Sequence, residues 1–270
     1  MKLKNFAMKH FYLFSLLVII CSVAFLFTSS AIFHDESVRS MILINLPGRI
    51  LPSLLLLLLL RHLQLTKDIY LIKKNTFHGV LHFWSLFLVL IAFELIAWLK
   101  NPVLDITPKV MEIIALIFYM FCVGLFEEML FRGVLFTTMK KKWAASPNGI
   151  LKAAIVSSCM FGFLHIFNLF DTPELFISII AQVLYAVLYG IFFCGVYVKC
   201  KNLWSIIIAH AIVDIIGNLP PYISSYMAEI SNEDSSLLLG ILTVVMILPF
   251  ALLGLRYLRK AQEIWNQQET

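Results

Sequence analysis

The feature that most constrains this chain is the recurrence of apolar runs about 20 residues long. A run of that length spans a bilayer as a helix, because every backbone polar group must be satisfied within the segment. Such runs fall at 11–33, 41–61, 78–99, 110–138, 150–170, 174–198, 203–219 and 236–258. Only 14% of the 270 residues are charged, while 61% are hydrophobic. A soluble domain of this size carries about a quarter charged residues. The mean hydropathy of +0.91 agrees. The expected fold class is all-α: a polytopic membrane helix bundle of about eight transmembrane helices. No linker, low-complexity tract or repeat interrupts the series, so residues 1–270 read as a single integral membrane domain.

Charge placement gives an expected topology. Basic residues cluster at Lys2–Lys9, after span 2 (Arg61, Lys67, Lys73, Lys74), after span 4 (Lys140, Lys141, Lys142, Lys152), after span 6 (Lys199, Lys201) and after span 8 (Arg256, Arg259, Lys260). The opposite side carries Arg39, Lys100 and Lys109, with the acidic stretches "HDES" and "SNED". The positive-inside rule then puts both termini in the cytoplasm. Span 1 has a small-x-small site at Ser29 and Ala31. Its apolar stretch is long for a signal peptide, and no soluble domain follows it. The pI of 8.9 reflects loop lysines and arginines, and nucleic acid is not an expected partner. The five cysteines form no C-x-x-C pair and read as small membrane residues.

Ionisable groups inside spans are costly, which makes them candidates for function. They are Arg49, Glu94, Glu127, Glu128, Arg132, His165, His210 and Asp214. At about 1.5 Å per residue, Glu127, His165, His210 and Asp214 all lie roughly 12–22 Å from the cytoplasmic ends of their spans. Glu128 and Arg132 are i, i+4 in the order that favours an ion pair. Glu127 is turned about 100° away and is free to point elsewhere. His210 and Asp214 are again i, i+4. Arg49 and Glu94, in neighbouring spans, are expected to form a structural ion pair. His78 and His82 lie at the start of span 3 and read as interfacial polars.

A carboxylate in a low-dielectric site is a strengthened base. Histidines on facing helices can orient water or stabilise an oxyanion. No Ser or Cys nucleophile elbow is evident, which points to attack by activated water. Two histidines and up to three carboxylates could also ligate zinc or iron, although no H-E-x-x-H occurs.

"EEMLFR" at 127–132 fits E-E-x-x-x-R, "FGFLH" at 161–165 fits F-x-x-x-H, and "HAIVD" at 210–214 fits H-x-x-x-[N/D]. In order, each on its own span, they resemble the CPBP (Abi) family of intramembrane proteases, relatives of the Ras-converting CAAX endopeptidases. The likeness covers about 110–219, the expected catalytic-core helices. It implies hydrolysis of a peptide bond, with Glu127 activating water and His165 helping to hold it. It implies that Glu128 and Arg132 brace the site and that His210 and position 214 stabilise the oxyanion. Asp214 stands where the CAAX-cleaving enzymes have Asn, and an ionised Asp would repel an oxyanion, so either Asp214 is protonated or it orients His210 instead. The family pattern is read as metal-independent, so no cofactor is expected, with zinc the alternative. The expected substrate is a membrane-anchored or amphipathic peptide, and the expected setting is the cell membrane of a bacterium. Peptide maturation and bacteriocin self-immunity are the implied roles. The competing reading is a non-catalytic immunity or scaffold protein that binds a peptide or partner. A proton-coupled transporter is disfavoured by the absence of a repeat.

Overall fold

The computed structural model describes residues 5–6, 9–31, 46–69, 76–99, 106, 108–170, 172–224 and 237–269. The "HDES" and "SNED" loops, together with Lys2, Lys4, Arg39, Lys73, Lys74 and Lys100, lie outside these residues. Among the described residues the regular secondary structure is all helical, with no strand. The principal helices are α1 (Phe11–Ala31), α2 (Leu46–His62), α3 (Thr76–Leu99), α4 (Val110–Trp143), α5 (Gly149–Phe170), α6 (Pro173–Cys200), α7 (Leu203–Asn218) and α8 (Leu237–Glu269). Each expected span therefore has its helix, and the protein is a polytopic helical bundle. Five of the helices, α3, α4, α5, α6 and α8, are long and apolar enough to cross a membrane. Span 7 coincides with α7, a 16-residue helix. Span 8 is longer, because α8 continues to Glu269.

The chain divides into two compact units: Met1–Thr66, Asn75–Leu130 and Trp204–Glu233 in the first; Lys67–Lys74, Phe131–Leu203 and Asp234–Thr270 in the second. In the first unit α2 packs on α1 and on the early part of α4. Gly124 of α4 lets α7 come close: a Cβ there would sit 2.9 Å from the Ile207 carbonyl and 3.4 Å from His210 Cβ. Ser205 donates to the Thr76 carbonyl (3.0 Å), tying the start of α7 to the start of α3.

The second unit is built on α6, which packs against both α5 and α8. Gly240 approaches Ala181, and Gly254 approaches Phe192. Both positions advance together along their helices, so α6 and α8 run parallel. Gly195 and Gly254 bring the backbones into contact, for a Cβ on Gly195 would lie 2.5 Å from the Gly254 carbonyl oxygen. Small residues that allow such approach are how membrane helices gain packing energy without a hydrophobic drive between them. Gln262 of α8 accepts from the Ile150 amide (2.8 Å) and donates to the Ala144 carbonyl (3.0 Å). None of the five cysteines forms a disulfide among the described residues.

Helix α4 is not uniform. It is α-helical from Val110 to Glu128, becomes a π-helix from Met129 to Phe136, and returns to α from Thr137. A π-helix bonds i to i+5 and is rare in long runs. Here local hydroxyls serve its carbonyls. Thr137 Oγ1 donates to the Arg132 carbonyl (2.8 Å), and Thr138 Oγ1 donates to that of Val134 (2.6 Å). From α5, Ser157 Oγ donates to the Phe131 carbonyl (3.0 Å).

Candidate active site

The first unit gathers four of the candidate residues. Glu127 and Glu128 are the last α-helical residues before the π segment of α4. His210 and Asp214 share one face of α7, as their spacing requires. The close approach at Gly124 puts the imidazole among the carboxylates. His210 Nδ1 donates to Glu128 Oε1 at 2.6 Å, a short charge-assisted bond. On the other side of the ring, Nε2 is 3.5 Å from Glu127 Oε2 and 3.5 Å from Asp214 Oδ2.

Burial separates the three acids. Glu128 is fully enclosed, at 0% exposure, while the side chains of Glu127 and Asp214 retain 20% and 24%. Glu128 therefore fixes the ring from the closed side. Glu127 and Asp214 face accessible space with Nε2 between them. A hydrogen bond at Nδ1 sets the direction of Nε2, as a carboxylate bonded to one ring nitrogen does in other imidazole sites.

The second unit holds Arg132 and His165. Arg132 has 0% exposure. Its guanidinium carbon stands 4.8 Å from the Phe161 ring centre and 5.5 Å from that of Phe193. Aromatic faces attract a desolvated guanidinium through their quadrupole. Phe161 also packs edge-on against Phe131 and against His165, with centroids 5.1 and 5.2 Å apart. His165 stands where α5 tightens into a 3-10 turn, His165–Phe170. Its Nδ1 donates to the Phe161 carbonyl (3.2 Å), leaving Nε2 the outward nitrogen.

The expected Arg49–Glu94 ion pair does not form. Helix α2 packs on α4, so Arg49 meets α4. Its guanidinium donates to Tyr119 Oη (3.4 Å) and lies 5.8 Å from the Phe126 ring centre. Glu94 is half-buried on α3. Glu128 ends the α-helical stretch of α4, and Arg132 lies within the π segment Met129–Phe136. His78 and His82 form a local exposed pair, with His82 Nδ1 at 3.0 Å from the His78 carbonyl.

Sequence reasoning missed Tyr119, Ser157 and Phe193. Nothing in their spacing marks them, since each acts on a residue of another helix. Phe161 was legible only as part of F-x-x-x-H, not as a shelf for Arg132. Among the described residues, no group of three or more His, Cys, Asp or Glu side chains is arranged to hold a metal ion.

No curated protein and no solved structure matches the chain. Residues 109–216 match the family model described as type II CAAX prenyl endopeptidase Rce1-like, a stretch that contains Glu127, Glu128, Arg132, His165, His210 and Asp214. Over this stretch the chain is similar to the CAAX-type membrane endopeptidases.

Proposed function

We propose that the protein is an intramembrane endopeptidase that hydrolyses a peptide bond of a membrane-anchored or amphipathic peptide with water activated by Glu127. The observation that supports this most is the unequal setting of three carboxylates around one imidazole. Glu128 is enclosed and bonded to Nδ1. Glu127 keeps 20% exposure and stands 3.5 Å from Nε2, longer than a close hydrogen bond, which suits a group that must meet water.

In the reaction Glu127 takes a proton from water while the water oxygen bonds to the scissile carbonyl carbon. The carbonyl π pair moves onto its oxygen. When that pair returns, the C–N bond breaks and the nitrogen takes the proton from Glu127. His210, directed by Glu128, keeps a polar group beside Glu127 and Asp214 throughout. The resemblance assigns His165 to holding the water, and a bacterial role in peptide maturation or bacteriocin self-immunity. The distribution of basic residues supports a cell-membrane location with both termini cytoplasmic.

The test is comparative peptidomics of membranes from cells expressing wild type, Glu127→Gln or His165→Ala at matched levels. A fragment made by wild type and lost in both variants is expected. Identical fragments in all three, with the cellular phenotype intact, would overturn catalysis in favour of a binding or immunity protein. Chelator treatment of the purified enzyme on the identified peptide then decides metal dependence.

A further inference from the structure

Helix α8 is longer than a membrane requires. Its 33 residues reach about 50 Å at about 1.5 Å each, against a hydrocarbon core about 30 Å thick. About 20 residues complete the crossing. Counted from Leu237, that limit falls at Arg256.

At that level one face of the helix changes character. Val245, Leu248 and Leu252 are exposed apolar side chains. The stripe continues as Leu255, Arg256, Arg259, Lys260 and Glu263, which with Leu252 line a concavity of about 480 Å³. All four charged residues are exposed, and none of them is ion-paired among the described residues. The opposite face of the same turns is committed to the second unit: Gly254, Leu258 and Gln262 are buried, and Gln262 is bonded to Ile150 and Ala144. The basic stripe therefore cannot rotate inward to find partners. The parallel helix α6 adds Lys199 beside it, its Nζ 4.1 Å from the Tyr257 ring centre.

From this we infer a binding site for the headgroup of an anionic phospholipid on the end of α8. Arg256, Arg259 and Lys260 take the phosphate, whose depth in a bilayer is just beyond the hydrocarbon edge. The acyl chains run down the stripe over Leu252 and Leu248. Glu263, one turn further out, accepts from a headgroup hydroxyl such as that of glycerol. Apolar surface and cations follow one another on a single face in the order in which a lipid presents tail and phosphate. A soluble anion has no use for that order. The inference does not depend on the catalytic reading.

The experiment uses the full chain in nanodiscs of equal phosphatidylglycerol and phosphatidylcholine, with retained lipid counted by native mass spectrometry. Wild type keeps phosphatidylglycerol preferentially. At about 1 kcal/mol per cation, retention falls about fivefold for Arg259→Gln alone and roughly a hundredfold when Arg256, Arg259 and Lys260 are all changed to Gln. Lys152→Gln, on another helix, behaves as wild type. If the triple variant does not fold, Arg259→Gln carries the test. Equal retention of the two lipids by wild type, or unchanged retention in the variants, overturns the site. Displacement by tail-less glycerophosphoglycerol at the concentration of the lipid also overturns it, in favour of a soluble-anion site.

Discussion

The two units bury ionised groups by different physical means. In the first, Glu128 is held by a 2.6 Å hydrogen bond from an imidazole, and two further carboxylates stand 3.5 Å from the other nitrogen of the ring. In the second, Arg132 is sandwiched near two aromatic faces, with centres 4.8 and 5.5 Å away. An acid needs a donor aimed at its oxygen, and that bond depends steeply on direction. A guanidinium is broad, planar and weakly hydrated, and it accepts the diffuse field of a π system. The first arrangement is therefore brittle and the second tolerant. A reacting proton belongs in the brittle one, where small movements change who holds it.

Four substitutions test that contrast. His210→Ala removes the donor to an enclosed carboxylate. Breaking a buried pair in this way costs about 3–5 kcal/mol, so a drop of that size in unfolding free energy in detergent is expected, together with loss of peptide cleavage. A change below 1 kcal/mol would mean that the His210–Glu128 bond contributes little. Arg132→Lys keeps the charge but loses the plane. It should cost about 1–2 kcal/mol by the same assay. A cost as large as that of His210→Ala would show that the aromatic cage is as exacting as the hydrogen-bonded cluster. Ser157→Ala takes one hydroxyl from the Phe131 carbonyl, with an expected loss of about 1 kcal/mol and a lower melting temperature. Smallest of all is Lys141→Gln. Its 2.9 Å bridge to Asp68 is 43% and 38% exposed, and surface pairs of this kind contribute about 0.5 kcal/mol. A melting curve shifted by more than the Ser157→Ala curve would contradict that ranking.

What could be read from the chain follows the same division. Glu127, Glu128, His210 and Asp214 were legible because helix periodicity places residues on faces without knowledge of the partner. The eight helices were legible because bilayer thickness sets their minimum length. The Arg49–Glu94 pairing failed because adjacency in sequence was taken for adjacency in space, whereas α2 packs on α4 and Arg49 meets Tyr119. The far end of α8 was missed because hydropathy marks where lipid ends, not where a helix ends. Residues such as Arg259, Lys260, Gln262 and Glu263 are good helix formers that continue it into water. The π segment was hidden because part of its support comes from Ser157, 26 positions away.

That π segment gives α4 a slack that its neighbours lack. Met129–Phe136 holds more residues per turn than the α-helix on either side. Deleting one residue there would let the stretch relax to regular α geometry without breaking the helix. Seven α residues and eight π residues each make about two turns, so Thr137 and Thr138 would keep roughly their direction. A deletion within the α-helical stretch Val110–Glu128 has no such reserve and turns what lies beyond it by about 100°. A single-residue deletion in the π segment should therefore leave a higher yield of folded protein in detergent than one within Val110–Glu128, the behaviour of an expansion joint rather than of a rigid strut.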